Sequence, residues 1–234
     1  MVFEQIMNND YSTKLKNTNI WSIVYKDDQI SEYNRYKNDT KEKAWRFEYA
    51  PMIDILDNKC NELSEEDYIG VFSWKFPQKT GLTKEVLAKV LNTLEPDNYD
   101  FIGLSRSYWN KAEEYLKFSY EHHPKLEGLL NKVLEKLGVV NKDNLSVYVY
   151  SNYFLLKKKY YKEYVNNWVK PSLEILENEL WEEVNVDADY TSGLNKEDLK
   201  KYTGLDFYNY VTFVLERLIV YFIANKQIKA INAL

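Results

Sequence analysis

Apolar positions along the chain follow two spacings, which divide it into candidate strands and helices. Residues 20–25, carrying Ile20, Trp21, Ile23 and Val24, and residues 67–74, carrying Tyr68, Ile69, Val71 and Phe72, are short apolar runs that predict buried strands. The first run is closed by the turn-prone Lys26, Asp27 and Asp28. Residues 100–105 read as a further strand, and so do residues 145–150, where the content of Val147, Tyr148 and Val149 outweighs an imperfect alternation. Helical spacing predicts helices over 47–56, 83–94, 108–120, 124–137, 157–184 and 207–225. The helix over 83–94 has the clearest signals: Thr83 as cap, Val86, Leu87, Val90, Leu91 and Leu94 as apolar stripe, and Pro96 as stop. A kink is expected at Pro171, and the polar residues 31–43 read as a loop or solvated helix.

Strands alternating with helices predict an α/β sandwich, Rossmann-type, with a mostly parallel central sheet flanked by helices. In such sheets ligands collect beyond the carboxyl ends of the strands. Neither an internal repeat nor a Pro/Gly/Ser-rich linker divides the sequence. The expectation is therefore one domain over residues 1–234, with 1–18 as a flexible N-terminal extension.

Composition narrows the function classes. With 234 residues, 45% of them hydrophobic and 29% charged, the chain can bury a sizeable core. Its net charge of −5 argues against a dedicated nucleic-acid binder, which needs a basic surface to neutralise phosphates. The single cysteine, Cys60, excludes a disulfide framework and a Cys-rich zinc site. No basic segment followed by an apolar run opens the chain, and the apolar residues 213–224 are interrupted by Glu216 and Arg217. A cytoplasmic protein without a transmembrane segment is expected. Aromatic residues reach 16%, including 21 Tyr and 6 Trp, and offer flat surfaces for stacking on bases and sugars. A codon bias toward Tyr and Asn would produce the same enrichment.

Several chemistries are missing their motifs: the chain has no phosphate loop, no G-x-G-x-x-G, no G-x-S-x-G elbow and no H-E-x-x-H. What it does have is polar residues where predicted strands end. Ser73, Trp74 and Lys75, followed by Lys79, form one group; Ser105 and Arg106 form another; Ser151, Asn152 and Tyr153 form a third. Together they could make a ligand floor, although Ser and Asn also end strands simply by bonding local backbone.

The segments at residues 45–51, 68–76 with 79–82, 120–124, 151–154 and 215–218 resemble, in order and spacing, a family of bacterial and phage glycosyltransferases. The order is also similar to that of polysaccharide-biosynthesis transferases, in which an N-[MY]-F-[IL]-[ML]-K-K segment precedes an E-R-L helix; here these are residues 152–158 and 216–218. The likeness spans residues 45–231. It implies a GT-A-like fold that moves a sugar from a nucleoside diphosphate donor to a glycan or glycoconjugate acceptor. The competing class is a non-catalytic ligand-binding or virion-associated protein that keeps the fold.

Such a transfer needs positive charge, from a cation or basic side chains, on the leaving diphosphate and, if it inverts, a carboxylate base near the acceptor hydroxyl. Lys75, Lys79 and Arg106 are candidates for the phosphates, with Trp74 and Tyr153 stacking on base or sugar and Ser73 and Asn152 bonding hydroxyls. Glu216 resembles the acidic position at the start of a late helix that acts as base, and Arg217 stands beside it; a structural Glu216–Arg217 network is the alternative. Asp187-Ala188-Asp189 has the form of the D-x-D motif that holds Mn²⁺ or Mg²⁺ on the donor, but it falls later in the chain than that motif usually does. Glu121, His122 and His123 complete the candidates. Adjacent histidines diverge on most backbones, so a single imidazole, that of His123, acting on a hydroxyl or phosphate is the functional reading, against helix-end packing.

Overall fold

The computed structural model describes residues 17–38, 43–105, 111–143, 145–190 and 194–234. The predicted 1–18 extension thus lies almost wholly outside the described residues. In chain order the first elements are β1 (Thr18–Val24), β2 (Asn34–Lys37), α1 (Tyr49–Lys59), β3 (Tyr68–Ser73), α2 (Phe76–Thr80) and α3 (Lys84–Leu94). There follow β4 (Phe101–Gly103), α4 (Ala112–His122), α5 (Leu126–Lys136), β5 (Phe154–Lys157) and α6 (Lys158–Tyr164). After α6 come α7 (Lys170–Asn178), α8 (Trp181–Val184), α9 (Lys196–Thr203), α10 (Tyr210–Lys226) and β6 (Ala230–Asn232).

The strands form one six-stranded sheet in the order β2-β1-β3-β5-β4-β6. β1 pairs in parallel with β2 and β3, β4 pairs in parallel with β6, and β5 is antiparallel to both β3 and β4. Five strands therefore share a direction, and β5 runs against them. The fold is the α/β arrangement expected from the sequence, with a mixed, mostly parallel sheet between helices.

Period-two alternation sorts the strand residues between two apolar layers. Trp21, Ile23, Ile69, Val71, Phe101, Phe154 and Leu156 join the larger cluster with α1, α4, α5, α6, α7 and α10. Their neighbours Ile20, Tyr68, Phe72, Ile102 and Leu155 join the smaller cluster with α2 and α3. Burial on both faces explains why these strands read as continuous apolar runs. Gly70 in β3 leaves room for that packing, since a Cβ there would lie 2.7 Å from Leu155 Cδ2. The helix α10 is apolar almost all round, as a helix enclosed by the core must be, and buries every residue from Tyr210 to Ile223 except Glu216.

Local signals account for most elements. Thr83 Oγ1 accepts the Val86 N–H at 3.3 Å and starts α3. The irregularity expected at Pro171 takes the form of a π-helical turn, Val165–Val169, immediately before α7; its wider winding accommodates a residue that lacks an N–H. Two expectations need correction. Residues 145–150 are not a strand: Leu145, Val147, Tyr148 and Val149 are buried through packing, and Ser105 Oγ bonds both the N–H and the C=O of Tyr150. The strand lies further on, as β5, and is reversed. Residues 31–43 contain the edge strand β2 rather than only a loop.

Candidate functional site

From β1 the chain moves outward to β2 and then returns to β3 on the other side of β1. Connections that leave adjacent strand ends in opposite directions open a crevice beyond those ends. A cavity of about 350 Å³ occupies that position. Tyr25 enters it from the end of β1, Ser73, Trp74 and Lys75 from the end of β3, and Lys79 from α2. Because β5 runs backwards, the turn that precedes it, with Tyr150 and Ser151, reaches the same end of the sheet. Tyr115, Ser119, His122 and His123 form the α4 wall, and Thr212, Phe213, Glu216 and Arg217 the α10 wall. Asp189 and Tyr190 contribute from the loop after α8, and Phe47 and Glu48 from the entry to α1.

Of the residues selected from the sequence, ten meet here: Ser73, Trp74, Lys75, Lys79, His122, His123, Ser151, Asp189, Glu216 and Arg217. Ser73 is oriented by Tyr153, whose hydroxyl lies 2.8 Å from Ser73 Oγ. Lys75 Nζ sits 5.4 Å from the centre of the Trp74 ring, and Lys79 Nζ 5.6 Å from that of Tyr150. Neither lysine has a carboxylate partner among the described residues, so aromatic faces are their main neighbours.

Glu216 and Arg217 do pair, through Glu216 Oε2 and Arg217 Nη1, with side-chain exposures of 14% and 4%. Arg217 also donates from Nη2 to Ser119 Oγ at 3.0 Å and lies over the Tyr115 ring, 5.3 Å from its centre. The guanidinium is a fixed part of the wall. The pair forms the structural network of the second reading, and both side chains line the cavity in which the first reading places Glu216 as base.

His123 donates from Nδ1 to the Ala188 carbonyl at 2.9 Å, since a carbonyl can only accept. Burial, with the positive charge of Arg217, pulls its pKa below the ordinary imidazole value against the opposing effect of that bond. The neutral ring thus keeps Nε2 as an acceptor. His122 bonds the Phe118 carbonyl of its own helix instead, so the two imidazoles are directed to different elements.

The remaining candidates lie elsewhere. Asn152 is buried behind the wall, and its Oδ1 accepts from Tyr49 Oη at 2.9 Å, so it does not present its amide to the cavity as expected. Tyr153 is also buried, packed edge-on against Phe72 and Phe76, and supports Ser73 rather than offering a stacking face. Glu121 is exposed outside the cavity. Arg106 lies outside the described residues. Asp187 is exposed and does not line the cavity, and its Oδ1 accepts the Asp189 N–H at 2.9 Å. No group of three or more His, Cys, Asp or Glu side chains is placed to hold a metal ion among the described residues.

Sequence reasoning missed Glu48. It follows Phe47, whose backbone is held at φ 48° and ψ −119°, a conformation that costs a non-glycine residue about 1–3 kcal/mol. The surroundings enforce it: Asn38 Nδ2 donates to the Phe47 carbonyl at 3.2 Å, and the Phe47 ring stacks on Tyr208 with centroids 5.0 Å apart. Burial, reinforced by the negative charge of Glu216, pushes the Glu48 carboxyl up to about 7, although its own backbone N–H and Lys79 act the other way. A signal existed in the sequence: an acid between Phe47 and Tyr49 with only Ala44, Trp45, Pro51 and Met52 at helical spacing has no local cation to satisfy it.

Comparison with family models, curated proteins and solved structures finds no match to this chain. Among the described residues, no helix is long and apolar enough to cross a membrane.

Proposed function

We propose that the chain is a glycosyltransferase of GT-A-like type, moving a sugar from a nucleoside diphosphate donor to a hydroxyl of a glycan or glycoconjugate. The observation that carries this reading is the composition of the switch-point cavity, where carboxylates, two lysines without carboxylate partners among the described residues and a set of aromatic rings meet beyond the strand ends. A sheet of five co-directional strands with one reversed strand is compatible with it.

In this reading Lys75 and Lys79 face the diphosphate and offset the charge that grows on it as it leaves. Trp74 offers a flat face beside them for the base or sugar. The acceptor hydroxyl lies toward the α10 wall, where Glu48 and Glu216 supply carboxylates and His123 Nε2 accepts a hydrogen bond. Because Asp187 is committed to its own loop, no step is assigned to a metal ion.

Thermal shift against UDP-, GDP-, CMP- and dTDP-sugars, each with and without Mn²⁺, tests the proposal. A rise in melting temperature with one donor, reduced by Lys75→Ala, supports it. No shift with any of them favours a non-catalytic binding protein that retains the fold.

A further inference from the structure

Of the three carboxylates that line the cavity, Glu48, Asp189 and Glu216, Asp189 is exposed, and the other two sit in unlike settings that divide the labour between them. Glu216 is locked: its partner Arg217 is itself fixed by Ser119 and by the Tyr115 ring. Glu48 has no ion pair among the described residues, while the strained Phe47 and the rings around it hold it at the cavity wall. Resting on the glycosyl-transfer reading, we propose that Glu48 is the base that takes the proton from the acceptor hydroxyl, and that Glu216, held by Arg217, is the fixed carboxylate of the same cavity.

The step balances without a further reactant. As the acceptor oxygen bonds to the anomeric carbon of the donor, its proton passes to Glu48. The bond from that carbon to the diphosphate oxygen breaks, and its electron pair leaves with the diphosphate toward Lys75 and Lys79. Glu48 ends as a neutral acid and returns its proton to solvent after product leaves. A base functions best when its affinity for the proton lies near working pH, and a carboxylate in water binds a proton too weakly for that. Burial and the nearby charge of Glu216 raise that affinity at Glu48.

The other charged and titratable groups around Glu48 are consistent with this role. Lys79 on α2 acts against the raised affinity without pairing, and Arg217 on α10 is already occupied by Glu216. Tyr25, Tyr49, Tyr153, Tyr190 and Tyr208 all have pKa values raised by burial, so they stay neutral and take no proton from Glu48 near pH 7. Lys75, Asp189, His122 and His123 share the same cavity. Of these, His123 is kept neutral by burial and adds no charge that would hold Glu48 ionised.

Two measurements on the full chain test the proposal separately from the reaction class. The first is a carboxyl-carbon NMR titration of the ligand-free protein, with the Glu48 resonance assigned by its loss in Glu48→Gln. The expected result is a Glu48 midpoint near neutrality that moves to lower pH in Glu216→Gln. A midpoint in the ordinary carboxylate range, or one unmoved by Glu216→Gln, overturns the proposal. The second is turnover with the donor that gives the thermal shift. Glu48→Gln should lose about 100-fold or more while keeping the donor-induced shift, and Glu48→Asp should recover part of the loss. Glu216→Gln should move the acid limb of the pH–rate profile downward rather than abolish turnover. A folded Glu48→Gln with near-normal turnover overturns the proposal, as does a Glu216→Gln that is inactive at every pH. If no nucleotide sugar binds the unmodified protein, the transfer reading fails, and with it the acceptor role of Glu48; the NMR titration still decides whether Glu48 is tuned by Glu216.

Discussion

The two ends of the sheet carry similar charges and use them differently. At the amino ends of the parallel strands, Lys157 lies 3.1 Å from both Glu66 and Asp100, Lys159 pairs with Glu66 at 2.7 Å, and Lys158 donates to the Leu63 carbonyl at 2.6 Å. Burial works against the Lys157 charge, but Glu66 and Asp100 more than offset it and hold the ammonium above its ordinary pKa. At the carboxyl ends, Lys75 and Lys79 rest over aromatic rings, and Glu48 forms no ion pair among the described residues, Lys79 acting on it only from a distance. One end neutralises its charges internally, which stabilises the fold. The other leaves charges available, which costs stability and suits a ligand.

The sharpest way to break this contrast is at Arg217, the buried cation of the cavity wall that is paired with Glu216. Arg217→Met keeps the volume but leaves Glu216, whose side chain is 14% exposed, without its partner and Ser119 without a donor, so the expected loss is about 3–5 kcal/mol in urea denaturation. A loss below about 1 kcal/mol would mean that solvent satisfies Glu216 and that the cavity wall is not built on this pair.

Glu48 should show the opposite sign. Its folded-state pKa, about 7, lies above the ordinary 4.5, so between those values the folded protein holds a proton that the unfolded chain has released. Stability contributed by that proton is full below about pH 4.5 and is lost as pH rises through 7. Glu48→Gln removes the dependence. After allowance for the open mouth of the cavity, it should stabilise the protein by about 2 kcal/mol at pH 8, with the gain shrinking toward zero below pH 5. Denaturation at both pH values checks the sign, and equal effects at the two would remove the basis for calling Glu48 poised.

How far the sequence exposed these regions follows from where each signal resides. β1, β3, α3 and α5 are read from their own residues, because periodicity and caps are local. β5 is four residues long and runs straight into α6, leaving no turn to mark it, while the buried Val147, Tyr148 and Val149 imitate a strand that makes no ladder. At the site, Ser73, Trp74 and Lys75 are legible because they end a strongly patterned strand. Asn152 reaches the expected end of the sheet but is taken up there by Tyr49, and the setting of Glu48 is made by Glu216 and Tyr208, all partners distant in sequence. Neither effect leaves a local pattern.

Lys157→Met sharpens the contrast from the other end. It leaves Asp100, which is mostly buried, with only the long 3.9 Å contact to Lys159, while Glu66 keeps Lys159 and solvent, so about 1–2 kcal/mol should be lost. Any donor-induced thermal shift should persist, measured as an increment over the variant's own melting temperature. If that increment disappeared, the two ends would not be separable in function.

The smallest stability effect is expected at Lys75 and Lys79, and there the contrast is most exposed to failure. A lysine over an aromatic face at the protein surface contributes about 0.5–1 kcal/mol at most, and solvent replaces it readily. Lys75→Ala and Lys79→Ala should therefore each change unfolding free energy by no more than about 0.5–1 kcal/mol. A charge-assisted bond to a phosphate oxygen contributes about 1.5–3 kcal/mol, so the same variants should weaken donor binding roughly ten- to hundredfold. The weakening should shrink as salt is raised, since both lysines act largely through charge. Isothermal titration at two salt concentrations, beside urea denaturation of the same preparations, reads both quantities. Lysines that stabilised the fold and left donor affinity unchanged would make the carboxyl end of the sheet no different in kind from the amino end, and the cavity would lose its claim on an anionic ligand.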